Sequence, residues 1–442
     1  MCGLAGVIRA KKAAELAAII LHHDQHRAVD YAGIVSSDGV YLPRERGPGF
    51  VSDVFTGEML DRLHGKTAIG HIRYPTVDDD PTRDNIQPIK GIFHGREIAV
   101  AHNGNLTNLK ELAKLIPSEL RSTSMDTEYI LRLLEAEESD NIEVALPNVL
   151  RLLKGSFELL VLLPDRMIAV RDPQGSHPLA VGRCGESYFI SSETCALPSV
   201  DAEYLGDIEP GTFMTFKEDG YPESTRYAKA EKKQCVFELI YYGHPASFIF
   251  GESVGRFRMR LGVELETILG VEGADIVVGV PDSANLMAKG FGKSGRSGED
   301  FTAIYRHHNG DRTFIAATQA LREEKVVKKF TFAAEEVKGK TVVLIDDSIV
   351  RGTTLKIVIA ILMRMGAKEV HVRIASPPFR HPCRYGINTK SYEELIANKK
   401  TDEEICEEIG ATSLKYLPMS ALHKLVKTPD EFCFACMDGK FW

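Results

Sequence analysis

The sequence predicts two mixed α and β domains in series: an α+β half over residues 2–230 and an α/β half with a parallel sheet over residues 231–442. Three observations carry this expectation. The chain has 442 residues, more than one ordinary domain of about 100–200. Its first half alternates short apolar runs with turn residues, as sheets do. Its second half repeats the order strand, loop, helix, which calls for a parallel sheet with right-handed crossovers.

Residues 10–23 (AKKAAELAAIILHH) have the pattern of an amphipathic first helix. KTAIGHI, REIAVAHNG, FELLVLL, RMIAV, SYFISS and GTFMTF read as strands, interrupted by helical stretches at about 106–116 and 126–136. Two sheets with helices packed on them follow. The chain turns polar and charged over 217–234 (KEDGYPESTRYAKAEKKQ), where the domain boundary is expected. Beyond it, ADIVVGVPDS and GKTVVLIDDSIVRGTT are buried strands running into loops. The helix LKIVIAILMRMGA and the strand KEVHVRIAS come next. Sheets of this kind bind ligands at the carboxyl ends of their strands.

The composition, 44% hydrophobic and 26% charged, is that of a globular protein with a full core. A net charge of −8 and the lack of a long Lys/Arg run argue against nucleic acid as a partner. They leave anionic substrates open, because a local loop binds phosphate even in an acidic protein. There is no apolar run of about 18 residues, so no membrane span is expected. The N-terminal stretch lacks the basic region and apolar core of a secretory signal. A cytoplasmic location is therefore expected, where disulfides are rare. The eight cysteines then call for packing, catalysis or metal binding.

VVLIDDSIVRGTT is the most specific stretch. Asp346 and Asp347 stand at the carboxyl end of a strand, and Ser348 to Thr354 form a loop of small and hydroxyl residues leading into a helix. Backbone N–H groups of such a loop cradle an anion together with the helix N-terminus. Arg351 adds positive charge, Gly352 permits close backbone approach, and Thr353 and Thr354 open the helix. Two carboxylates beside a phosphate make sense if they face ribose hydroxyls and a Mg²⁺ on pyrophosphate. The stretch resembles the 5-phosphoribosyl-1-pyrophosphate (PRPP) signature of type I phosphoribosyltransferases. That resemblance implies a parallel-sheet fold, makes VPDS (Val280 to Ser283) the second substrate loop, and makes Ser283 a candidate metal-side ligand.

Cys2 lies directly behind the first Met. Once that Met is removed, its α-amino group, with an unperturbed pKa near 8, can take the thiol proton. A nucleophilic thiol also needs an oxyanion site. HIRYPT supplies Arg73 and Thr76, AHNGNL supplies Asn103 and Gly104, and SMDTEY supplies Asp126. An Arg and an Asp hold the two ends of an amino acid by charge-assisted bonds. An Asn amide and a Gly N–H suit an oxyanion. In this order the set resembles the class II glutamine amidotransferases, from Cys2 to about Thr215. It implies an N-terminal nucleophile (Ntn) hydrolase fold of four αββα layers, with glutamine bound by Arg73, Thr76 and Asp126.

Cys433 and Cys436 form C-x-x-C in EFCFACMDG, with Cys235 and Cys383 far away in sequence. On spacing alone they fit a redox pair, a zinc site, a four-iron cluster or buried free thiols. A glutaminase domain followed by a PRPP domain resembles the amidophosphoribosyltransferase family. The resemblance implies a structural [4Fe-4S] cluster on Cys235, Cys383, Cys433 and Cys436, with Cys184, Cys195 and Cys406 as packed or surface thiols. It also implies Mg²⁺, a homo-oligomer (commonly a tetramer), inhibition by purine nucleotides, and the first committed step of purine biosynthesis.

Several positions depart from the family pattern. HRAVDYAGI places Ala28, Val29 and Tyr31 beside the expected glutamine pocket. DPQGSHPL has His177 where Arg is usual, and GHPAS has His244 and Ala246 where Arg and Asp are usual. The closing loop begins RHHNGDRTF, changed over 306–311 but keeping Arg312, Thr313 and Phe314. Because these changes gather at loop closure and domain coupling, two other readings stand beside the first. One is a paralogue that aminates a different ribosyl phosphate; the other is a protein that senses PRPP or nucleotides without turnover.

Overall fold

The computed structural model describes all residues except 75–84, 124, 308–328 and 390. The N-terminal half contains two antiparallel sheets. One has seven strands in the order Glu203–Asp207, Ala180–Cys184, Ser187–Ser191, Gly3–Ile8, Thr67–Arg73, Tyr31–Ser37 and Arg44–Pro48. The other has six, in the order Glu223–Arg226, Thr212–Lys217, Arg166–Arg171, Gly155–Leu163, Arg96–Leu106 and Ile89–Phe93. Leu4, Ile8 and Ile69 of the first sheet pack against Ala99, Leu160 and Phe216 of the second. On the outer face of the first sheet lies the helix Ala13–His23, whose Ala13, Ala17, Ile20 and Leu21 are buried. On the outer face of the second lie Asp126–Glu135 and Ile142–Leu152. The result is four layers, αββα.

Helix is limited to Leu109–Leu112 where the sequence predicts a longer stretch at about 106–116. Ladder pairing decides this. Asn103 to Leu106 stay extended against Gly155 to Glu158, so the strand consumes the start of the predicted helix.

The C-terminal half holds a five-stranded sheet in the order Glu299–Asp300, Ile276–Gly279, Thr341–Asp346, Glu369–Ile374 and Ser413–Tyr416. Every pairing is parallel. Both faces are covered, as an all-parallel sheet requires. Val254–Leu269 and Asn285–Phe291 pack on one side, and Thr353–Arg364 and Asp402–Ile409 on the other. The last N-terminal strand ends at Arg226, and Gln234–Cys235 already pairs in parallel with Phe432–Cys433. Gly262 lets the helices Val254–Leu269 and Asn285–Phe291 approach closely: a Cβ there would collide with the Met287 carbonyl and stand 2.8 Å from Phe291 N.

Replacing Gly262 with Ala should cost about 1–3 kcal/mol by overpacking that contact. A thermal unfolding scan of the variant checks this as a lowered midpoint.

Candidate functional site

Cys2 sits at the mouth of the strand Gly3–Ile8. Its backbone N–H donates to Asn103 Oδ1 at 3.1 Å, and its carbonyl accepts from Arg27 Nε at 2.9 Å. The register Gly3↔Ile72 brings Arg73 to the same end of the ladder. Arg73 is buried there and donates to the Asn85 carbonyl. Asn103 and Gly104 come from the facing sheet, on the strand Arg96–Leu106. Gly104 has φ 141°, and a Cβ would strike the Ser156 carbonyl, so only glycine presents its N–H in this way.

Asp126 opens the helix Asp126–Glu135. It faces His102 Nδ1 at 3.3 Å and accepts from the Leu106 N–H at 3.2 Å. Burial pushes its carboxyl up, but His102 and these N–H groups hold it below the usual range. The fold thus gathers Cys2, Arg73, Asn103, Gly104 and Asp126 at one place. Thr76 lies outside the described residues.

A buried charge network beneath Cys2 went unread in the sequence. Arg27 donates to Glu193 Oε1 at 2.5 Å, and to Glu238 Oε1 and Oε2 at 2.8 and 3.0 Å, with all three side chains fully buried. Glu193 belongs to the N-terminal half and Glu238 to the C-terminal half. Burial pushes Glu238 up, but Arg27 and His177 bring it down to about 2. Glu193 also accepts from the His244 N–H and the Ser247 hydroxyl across the seam, both at 2.7 Å. His26 donates to the same carboxylate at 2.8 Å, and its ring lies 5.3 Å from that of His244. The His-Arg pair at 26–27 was the available sequence signal. Its partners lie 166 and 211 residues away in the chain.

In the C-terminal half, Asp346 and Asp347 stand at the end of the central parallel strand, 8% and 5% exposed. Asp347 accepts from Ser283 and from Ser348, both at 2.6 Å, and its N–H donates to Asp346 Oδ1 at 3.0 Å. Burial pushes both carboxyls up, and Asp347 adds to this at Asp346. Gly352 takes a left-handed φ of 75° at the N-cap of Thr353–Arg364, turning the loop so that Thr353 and Thr354 begin the helix. Arg351 is half exposed and pairs with Glu394 at 2.5 Å. Arg306 pairs with Asp282 beside Ser283 at 2.8 Å. Arg312 lies outside the described residues.

Cys235, Cys383, Cys433 and Cys436 line one cavity together with His177, Tyr385 and Trp442. Cys235 and Cys433 are direct partners in the short parallel pairing. Burial, with the neighbouring thiols adding for all but Cys383, pushes the four thiols up, Cys433 to about 11. Among the described residues, no group of three or more His, Cys, Asp or Glu is tight enough for a single metal ion. The four thiols share one cavity, and thiolates are the donors that zinc or an iron–sulfur core takes. Cys184 is exposed, Cys195 faces Asp24 at 3.9 Å, and Cys406 donates to the Ala411 carbonyl at 3.3 Å.

Residues 71–199 match the glutamine amidotransferase domain and residues 272–400 the phosphoribosyl transferase domain. Fold and site thus define a glutamine amidotransferase joined to a phosphoribosyltransferase. The chain is 38% identical to an amidophosphoribosyltransferase of Bacillus subtilis, covering all of this chain and 94% of that protein. It is 40% identical to one of Archaeoglobus fulgidus, covering all of this chain and 98% of that protein. It overlays a solved structure of the Bacillus subtilis glutamine PRPP amidotransferase, complexed with ADP and GMP, at a TM-score of 0.92 and 37% identity, covering 100% and 97% of the two chains. The chain belongs to the amidophosphoribosyltransferase family, the enzymes of the first step of purine biosynthesis.

Arg27→Ala should destabilise the fold by about 3–5 kcal/mol, because it strands two buried carboxylates; urea unfolding measures it. Acid tests Glu238. Its depressed pKa contributes stability that is complete above the usual glutamate value of 4.5 and lost as pH falls towards about 2. Urea midpoints across that window should fall in the wild type and fall less steeply in Glu238→Gln.

Proposed function

We propose that the chain converts PRPP, glutamine and water into 5-phosphoribosylamine, pyrophosphate and glutamate. The observation that carries this reading is Cys2 held by Asn103 and Arg27, in one fold with the Asp346–Asp347 anion loop. Removal of Met1 frees the Cys2 α-amino group, which takes the thiol proton. The thiolate attacks the glutamine amide carbon, and the Asn103 amide and Gly104 N–H receive the developing oxyanion. Arg73, Thr76 and Asp126 hold the amino-acid end. Collapse expels ammonia and leaves a thioester, which water hydrolyses to glutamate and free thiol.

In the second centre, the 351–354 loop and the N-terminus of Thr353–Arg364 take the 5-phosphate, and Arg312 takes part in PRPP binding. Asp346 and Asp347 hold the ribose hydroxyls. Ammonia attacks C1, and the C1–O bond breaks with its electron pair leaving on pyrophosphate. Asp346, Asp347 and Ser283 suit Mg²⁺, since buried paired carboxylates need a cation, and when bound it neutralises the departing pyrophosphate. Passage of ammonia inside the protein keeps it unprotonated between the centres.

The four-thiol cavity suits a [4Fe-4S] cluster held by Cys235, Cys383, Cys433 and Cys436, which would staple the C-terminal tail to the start of the second half and lie against Ser176 and His177 of the first. We place the domain boundary at 230/231, between Arg226 and the Gln234–Cys235 pairing. The Bacillus complex with ADP and GMP supports purine nucleotides as ligands of this chain, with inhibition as their proposed effect. A homotetramer and a cytoplasmic location complete the reading. Among the described residues no helix is long and apolar enough to cross a membrane.

Cys2→Ala should abolish glutamine-dependent phosphoribosylamine formation and spare the ammonia-dependent reaction; survival of both activities unchanged would defeat the mechanism. PRPP should strongly stimulate glutamate release from glutamine in the presence of Mg²⁺. Release indifferent to PRPP would mean that the second domain takes another substrate. Anaerobically purified wild type should carry iron, acid-labile sulfide and visible absorbance, and Cys436→Ser should lack all three.

A further inference from the structure

We infer that His177 and Glu238 are positioning residues for the nucleophile, closing a ring of hydrogen bonds that fixes the Cys2 backbone from both sides. The inference rests on the reading of Cys2 as the nucleophile.

The ring can be followed atom by atom. The Cys2 N–H donates to Asn103 Oδ1 at 3.1 Å. Asn103 Nδ2 donates to Glu158 Oε2 at 3.4 Å. Glu158 Oε1 accepts the His177 backbone N–H at 3.2 Å. His177 Nδ1 donates to Glu238 Oε1 at 3.0 Å, and the same oxygen accepts from Arg27 Nη2 at 2.8 Å. Arg27 Nε returns to the Cys2 carbonyl at 2.9 Å. Asn103, Glu158, His177, Glu238 and Arg27 are all between 0 and 3% exposed. The links among these five residues are buried from bulk water and the two to Cys2 are part-buried, so the ring holds its geometry more firmly than surface bonds would.

Glu238 comes from the C-terminal half, so that domain supplies part of the support beneath the glutaminase nucleophile. His177 has a second tie. Its Nε2 lies 3.1 Å from the Tyr385 carbonyl, which also accepts from Ser156. Glu238 and the Tyr385 carbonyl are both acceptors, so the imidazole meets both only as a double donor.

Misplacing a reacting group by a fraction of an ångström costs rate more than binding, so the expected signature is in kcat. Two variants of His177 separate the links. His177→Asn places its amide where Nδ1 stood and keeps the Glu238 bond. His177→Gln reaches the Tyr385 carbonyl and drops it. His177→Gln should lower the glutamine-dependent kcat by about tenfold, with KM for glutamine within about twofold, and slow alkylation of Cys2 by iodoacetamide in step. His177→Asn should stay within about twofold of wild type on both readouts. Ammonia-dependent activity should be unchanged in each.

Equal losses in both variants, no loss in either, or a parallel fall in the ammonia-dependent reaction would overturn the inference. If His177→Gln does not fold, His177→Leu, which fills similar space without either bond, takes its place in the comparison. Cys2→Ala runs alongside. If it kept glutamine-dependent activity, the reading of Cys2 would fall first and the inference with it. If it were inactive while His177→Gln matched wild type, the inference alone would fall.

Discussion

The fully buried guanidinium of Arg27 is the constraint on which the rest of the molecule depends. Desolvating one cation and two carboxylates costs several kcal/mol per ion, and only close, complete pairing offsets it. Glu193 meets one nitrogen and Glu238 meets two. One carboxylate comes from each half, so neither half satisfies this charge alone. The third partner is the Cys2 carbonyl. The electrostatic requirement that docks the domains is therefore the same one that holds the nucleophile's backbone.

Two sets of buried acidic groups stand outside this paired network. Asp346 and Asp347 are buried side by side with hydroxyl donors and, among the described residues, no paired cation. The four thiols crowd one cavity with their pKa values driven up by burial. These are the two places where we propose that a cation is held, Mg²⁺ at the carboxyls and an iron–sulfur cluster at the thiols. The cavity also touches His177, so the cysteine tail and the hydrogen-bonded support of Cys2 share a wall.

The departures from the family pattern find physical places in this frame. His177 bridges Glu238 and the Tyr385 carbonyl, while the His244 N–H binds Glu193 beside the His26 ring. Ala28 is buried against the core of the first helix, and Arg306 meets Asp282 next to the Ser283 loop. None of these four is among the residues proposed for the two reacting centres. That agrees with a chain that keeps 38–40% identity over its full length with Bacillus and Archaeoglobus amidophosphoribosyltransferases.

Local chemistry was legible in the sequence. Alternating apolar runs set the strands, VVLIDDSIVRGTT announced an anion loop beside two carboxylates, and Cys2 with HIRYPT, AHNGNL and SMDTEY announced a glutaminase. Each is a short-range pattern whose meaning travels with it. The short helix at Leu109–Leu112 was not legible, because its boundary is set by the ladder to Gly155–Glu158. Nor was the Arg27 network, or the ring through Glu158, His177 and Glu238. A buried charge reveals itself only through its partners, and these lie 166 and 211 residues away. The sequence by itself determined which chemistries the chain carries. Only the tertiary structure decided how they are joined, because pairing a desolvated charge is a matter of distance in space.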